Sequence, residues 1–254
     1  MKRRRFFLSI FIALVLTGCS VYPDLEKLSG NHALGIPAES DQLLEKRGFT
    51  LGYNNIHRQA LWVSYILEAD KLHAEKVKRK NVFYTDKSIK KFPIKPQEYN
   101  KSGYDRGHLA PAADMAYSDE SMTDSFFMSN ISPQLPVCNR RNMLAVENLI
   151  RKWALTEKRI YVVTGPVFGN RDNSFGDPPI TVPSAFYKAV LDLTPPYKMI
   201  ALIVPNANCE TDIENWAVSV DELEELTGYD FFSELDDDTE NTFEKQFDLT
   251  DWEK

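Results

Sequence analysis

The sequence predicts an α+β fold, on three observations. Apolar, β-branched and aromatic runs of strand length recur, as in Ala60-Leu-Trp-Val-Ser-Tyr-Ile-Leu67 and Arg159-Ile-Tyr-Val-Val-Thr164. One long stretch, Asn139 to Leu155, has helical periodicity and contains no Gly or Pro. Strands and helices mix at hairpin-like spacing, without strict βαβ alternation. With 254 residues, 43% hydrophobic and 26% charged, the chain has the size and composition to bury a full core.

The first residues read as an address. Lys2, Arg3, Arg4 and Arg5 precede an apolar run from Phe6 to Leu16, the pattern of an export signal and too short for a comfortable transmembrane helix. The run ends Leu16-Thr17-Gly18-Cys19, which resembles the lipobox of bacterial lipoproteins. That resemblance implies a signal peptide over residues 1–18, a lipid on Cys19 and, with Ser20 following, sorting to the outer membrane. A lipid there tethers a protein to a membrane without spanning it. Residues 19–45 carry Pro, Ser, Gly and scattered charge without a period, and are expected to be a tether. Residues 46–254 are expected to form a single domain.

Within that domain, Phe49 to His57 predicts a strand and turn, and Ala60 to Leu67 a core strand. His57 and His73 read as surface or satisfied histidines. Pro93 and Pro96 interrupt regular structure before Tyr99. Asp119 to Phe127 predicts a short helix and Phe126 to Ser132 a buried strand stopped by Pro133. In the helix from Asn139 to Leu155, Leu144, Val146, Leu149, Ile150 and Trp153 suit an apolar face. Arg159 to Thr164 is a strand, residues 169–179 a loop, and Ser184–Leu193 with Met199–Val204 a hairpin across Thr194-Pro-Pro196. Asp221 to Leu226 predicts a helix closed by Gly228.

Charge is unevenly placed. The net value is −7, yet residues 76–106 hold ten Lys/Arg against three acids, while residues 210–254 hold seventeen acids against two lysines. The basic segment runs directly into Asp105-Arg106-Gly107-His108, so an anionic substrate would be steered there. Cys138 and Cys209 are candidates for a disulfide in an exported protein, which their spacing leaves open. No CxxC pair is present, which argues against a structural zinc site.

Asp105 to His108 places an acid, a permanent cation, a bend and a base suited to neutral pH in four positions. His108 is suited to proton transfer, Arg106 to a two-point grip on phosphate, and Gly107 to a close backbone approach. Further along, Asn139, Met143, Glu147 and Arg151 share one broad helix face. Asn139 and Glu147 lie about 12 Å apart along an ideal axis, so one direct oxygen ligand from Asn139, with Glu147 acting through water, suits a hard cation better than joint ligation. A simple exposed face with a Glu147–Arg151 pair is the alternative.

Together, Asp105-Arg-Gly-His108, Ser129-Asn-Ile-Ser-Pro-Gln134, Asn139, Glu147 and Arg151 resemble the DNA/RNA non-specific endonuclease family, from about residue 48 to Phe232. The resemblance implies a ββα-metal (His-Me finger) nuclease fold with a mainly antiparallel central sheet flanked by helices. It implies Mg2+- or Mn2+-dependent hydrolysis of DNA and RNA to 5′-phosphate products. The implied catalytic set is His108, Arg106, Glu147, Asn130, Gln134 and Arg151. In that set His108 is the general base, Asn139 the direct metal ligand and Glu147 a ligand through water. Arg106 and Arg151 contact phosphate, Asn130 and Gln134 support the site, and Asp105 fixes the loop or Arg106. The chain departs from the family pattern at Cys138, Arg140 and Met143. A phosphodiesterase acting on small nucleotides and an inactive DNA-binding lipoprotein remain the alternatives.

Overall fold

A computed structural model describes residues 25–169 and 172–252; the expected export signal and Cys19 lie outside them. Strands β1 (Gln42–Glu45), β2 (Thr50–Asn54) and β3 (Gln59–Glu68) form a meander followed by helix α1 (Ala69–His73). Strand β4 (Asp105–His108), helix α2 (Asp119–Ser125) and strand β5 (Ile131–Gln134) follow. A wide π-helical turn, Cys138–Met143, continues into helix α3 (Leu144–Glu157). Next come β6 (Arg159–Val167), the short β7 (Ser174–Phe175) and β8 (Ile180–Thr181), then β9 (Ala185–Asp192) and β10 (Met199–Pro205). Helix α4 (Ile213–Trp216), strand β11 (Ala217–Val218) and helices α5 (Val220–Thr227) and α6 (Asp237–Phe243) complete the chain's longer elements.

A seven-stranded antiparallel sheet in the order β1-β2-β3-β6-β9-β10-β11 carries the fold. This is the α+β class, with helices on both faces of the sheet. One face packs Val63, Tyr65, Val162 and Val190 against Val146, Ile150 and Trp153 of α3. The other packs Trp62, Tyr161, Tyr187 and Leu191 against Val220 and Leu223 of α5 and against Phe231 and Phe232. Cover on both faces explains why the central strands read as continuous apolar runs rather than alternating ones. Removing a fully buried side chain such as Trp153 would cost about 3–5 kcal/mol.

Where β2 pairs β3, the register slips by one residue opposite Leu61, a β-bulge. The displaced Leu61 carbonyl accepts from the Tyr187 hydroxyl at 3.1 Å. It also comes so close to β6 that a Cβ on Gly165 would meet it at 2.2 Å. Only glycine fits there.

Several expectations need correction. The tether expected over residues 19–45 is not a tether from Leu25 onward: Leu25 and Leu34 are buried, and β1 is the sheet's edge strand. Carbonyls of this segment are satisfied by core side chains, with Tyr161 Oη donating to Asn31 O and Trp62 Nε1 to Ala38 O. Isolated leucines in an aperiodic stretch dock without a pattern to reveal them. The strand expected over Phe126–Ser132 begins only at Ile131; Met128–Asn130 form a tight helical turn, and the strand continues through Pro133. The loop expected at 169–179 contains β7, paired with β8. Leu144, expected on the apolar face, is 46% exposed, because at about 100° per residue it lies opposite Val146, Ile150 and Trp153 on α3. The hairpin of β9 and β10 and the helix closed by Gly228 in a left-handed conformation are as expected. Among the described residues, no helix is long and apolar enough to cross a membrane.

Candidate active site

Strand β4 lies antiparallel to β5, pairing Asp105 with Gln134, Arg106 with Pro133, Gly107 with Ser132 and His108 with Ile131. Proline is tolerated because a two-stranded sheet leaves each strand one edge that needs no ladder donor. The Gln134 side chain lies over Gly107 so closely that a Cβ there would meet its Cδ at 2.1 Å. Two strands and the following helix thus form one unit that presents Arg106, His108 and Asn139 together.

His108 is 8% exposed, and its Nε2 is buried without a hydrogen-bond partner. The rings of Phe126 at 4.8 Å and Phe83 at 5.5 Å wall it in. Burial, and secondarily the positive charge of Arg79, pushes His108 down to about 3. The imidazole is therefore neutral across the physiological range, as a base must be.

Of the two structural roles expected for Asp105, fixing the loop or fixing Arg106, the second is not seen. The Asp105 carboxylate accepts from Asn139 Nδ2 at 2.9 Å and from Arg140 Nε and Nη2, both at 2.7 Å. Burial raises the carboxyl's pKa, and these bonds more than reverse it, leaving Asp105 below the usual carboxylate range. Arg106 instead spends Nε and Nη2 on Pro96 O and Asn100 Oδ1, with its guanidinium near the Phe83 ring. Since Asp105 engages the amide nitrogen of Asn139, the oxygen Oδ1 is left to face a ligand. A cation that keeps most of its own waters needs no more than one such protein oxygen, so these residues fit Mg2+.

A cleft of about 300 Å3 opens over this unit, lined by Arg79, Phe83, Asp105, Arg106, His108, Asn139 and Arg140. Glu147 and Arg151 are not among its lining residues. Arg151 is committed to Asp114, Nη1 donating to Oδ1 at 2.7 Å, and to Asn148 Oδ1 at 2.7 Å. The alternative Glu147–Arg151 pair gives way to this ion pair with the buried Asp114. Tyr65 also donates to Asp114, at 3.0 Å. Beside them, burial raises Glu147 to about 7, with Lys188 opposing the rise and Asp114 adding to it. Lys188, 1% exposed, donates Nζ to Leu109 O and Thr164 Oγ1, both at 3.2 Å.

Asn130 and Gln134, expected in the catalytic set, are buried and reach no part of the cleft lining. Asn130 exchanges hydrogen bonds with both backbone groups of Ala110 at 2.9 Å and donates to Ser125 O, so it sets the path of the chain just past His108. Cys138 and Cys209 are free thiols. His57 stacks on Phe168 at 3.7 Å and bonds Thr181, a satisfied histidine as expected.

The sequence model of the family described as DNA/RNA non-specific endonuclease matches residues 29–238. The chain belongs to this family. It is 33% identical to a nuclease of Nostoc sp., over 92% of this chain and 89% of the relative. It is 31% identical to human mitochondrial endonuclease G, over 76% of this chain and 70% of the relative. A crystal structure of EndoG in complex with EndoGI superposes with a TM-score of 0.75 at 25% identity, covering 81% of this chain and 91% of that one. This family member is thus a hydrolytic endonuclease with the ββα-metal architecture.

Sequence reasoning missed three side chains of the site. Arg79 was one cation among ten in the basic segment, and nothing local marked it as the one beside His108. Asp114 follows an apolar turn and carries no motif. Lys188 did leave a signal, a lone lysine inside the apolar run Ala185-Phe-Tyr-Lys-Ala-Val-Leu191.

Proposed function

We propose that this endonuclease cleaves DNA and RNA without sequence choice, leaving 5′-phosphate ends, with His108 as general base and Mg2+ (or Mn2+) held by Asn139. The observation that carries this reading is a neutral, aromatic-walled His108 lining the same cleft as Arg79, Arg106 and Asn139. The unprotonated ring nitrogen of the neutral imidazole accepts the proton of an attacking water. Phe83 and Phe126 hold the ring in place and keep it neutral. Arg79 and Arg106 offset charge on the phosphate. Glu147, behind the cleft lining, takes the water-mediated role that the family resemblance implies, while Asn130 and Gln134 position the backbone on either side. A divalent cation bound at Asn139 would polarise the phosphate and stabilise charge on the leaving oxygen. Phosphate contacts supply affinity without reading bases.

The test is to incubate the full chain with supercoiled plasmid and with RNA, in Mg2+ and in EDTA, alongside His108→Ala. Cleavage in Mg2+ only, lost in the variant, is the expected result. Metal-independent cutting would overturn the Asn139 assignment, and full activity in the variant would overturn the general base. We propose too that the chain is exported and anchored to the outer membrane through lipid on Cys19. Cys19→Ala should then release the protein into the soluble fraction, and unchanged membrane association would refute the anchor.

A further inference from the structure

The strongly acidic C-terminal region converges on one point away from the catalytic cleft. Asp221 and Glu224, one turn apart on α5, each offer a carboxylate oxygen within 4.8 Å of one from Glu244, the residue that ends α6. Glu244 is 5% exposed, and its Oε1 is buried with no hydrogen-bond partner. Oε1 of Glu240, one turn earlier, is likewise buried and unpartnered. Glu224 has already given Oε1 to the Phe231 amide at 2.7 Å, which fixes its carboxylate and leaves Oε2 available. The charges acting on Glu244 are those of Glu224, Glu240, Asp221 and Asp230, all negative.

We propose that Asp221, Glu224 and Glu244 form a second, structural cation site that takes Ca2+. Hard divalent cations take carboxylate oxygens, and Ca2+–oxygen distances of about 2.3–2.6 Å place opposite ligands up to roughly 5 Å apart. Three carboxylate oxygens within 4.8 Å of one another fall inside that span, and Ca2+ accepts an irregular carboxylate shell where Mg2+ demands a near-regular octahedron. Without a cation, burial and the neighbouring carboxylates push Glu244 up to about 9. A bound ion joins α5 to α6, and α6 leads to Trp252, whose ring packs at 4.8 Å on Trp153 of the catalytic helix. The site therefore fastens the C-terminal segment to the body of the enzyme.

Calorimetric titration and thermal melts of the full chain in Ca2+ test this, with Asn139→Ala present to remove the catalytic metal ligand. The Asn139→Ala protein should bind Ca2+ and gain about 5 °C in Tm at saturating ion. Asp221→Asn with Glu224→Gln should lose both binding and the Ca2+-dependent gain. The same pair should melt higher than its parent in EDTA, because like-charge repulsion is relieved, which separates loss of the site from loss of folding. Two results would overturn the proposal: no Ca2+-dependent rise in the Asn139→Ala protein, or an unchanged rise after the α5 substitutions.

Discussion

The helix that runs from the π turn at Cys138 to Glu157 has two ends in different environments. At its start, Asn139 and Arg140 line an open cleft and share one carboxylate, Asp105. Two turns later, the half-buried Glu147 and Arg151 sit against the buried Asp114, Tyr65 and Lys188. In the first region charge is screened by water and ion pairs are worth little. In the second, Arg151 and Asp114 offset each other's desolvation, whereas burial leaves Glu147 with a raised pKa. The open end binds and reacts. The buried end holds the backbone and sets electrostatics for the groups in front of it.

If this division is right, substitutions should separate into losses of rate and losses of stability. The largest effect is expected for His108→Ala, about a 10³-fold fall in cleavage rate with an unchanged melt. Arg151→Ala should act on stability instead, costing about 3–5 kcal/mol in urea unfolding, because Asp114 is left buried and unpaired. A variant that melts like the parent but cleaves poorly would erase the distinction. Asp105→Ala frees the Asn139 amide to rotate, and the Mg2+ concentration for half-maximal activity should rise about 10–100-fold while the melt changes little.

Glu147→Gln probes the boundary. The carboxyl's folded value of about 7 lies above its ordinary value near 4.5. Between those values the folded chain keeps a proton that the unfolded chain loses, so stability falls as pH rises through this window. Glutamine removes that penalty. The variant should be more stable than its parent by about 2 kcal/mol above pH 7 and no different near pH 4, with reduced cleavage throughout. A pH-independent difference would mean that Glu147 is not titrating in the fold. The smallest effect belongs to Arg140→Ala, under about 1 kcal/mol, since its pair with Asp105 is exposed and screened by salt.

Much of the active site was legible because its chemistry is local in sequence. Asp105 to His108 occupy one strand, so their side chains and the Gly107 bend arrive together. Asn139 and Glu147 share one helix. What escaped was set by long-range packing. Lys188 reaches Leu109 from a strand 79 residues away in sequence. Arg79 meets His108 only because an irregular segment folds over Phe126. The residues before β1 looked like a tether because burial there depends on single leucines and on carbonyls satisfied by distant Tyr161 and Trp62, none of which leaves a periodic trace.

The sequence by itself determined the α+β class and the family, and pointed to the strand and helix of the candidate site, because strand patterning and the spacing of reactive groups are properties of short segments. Only the tertiary structure decided which charges face the cleft and which are buried in pairs. Arg151 pairs with Asp114, and Asp105 engages Asn139 and Arg140 rather than Arg106. Those choices depend on desolvation, which is a property of the packed chain as a whole.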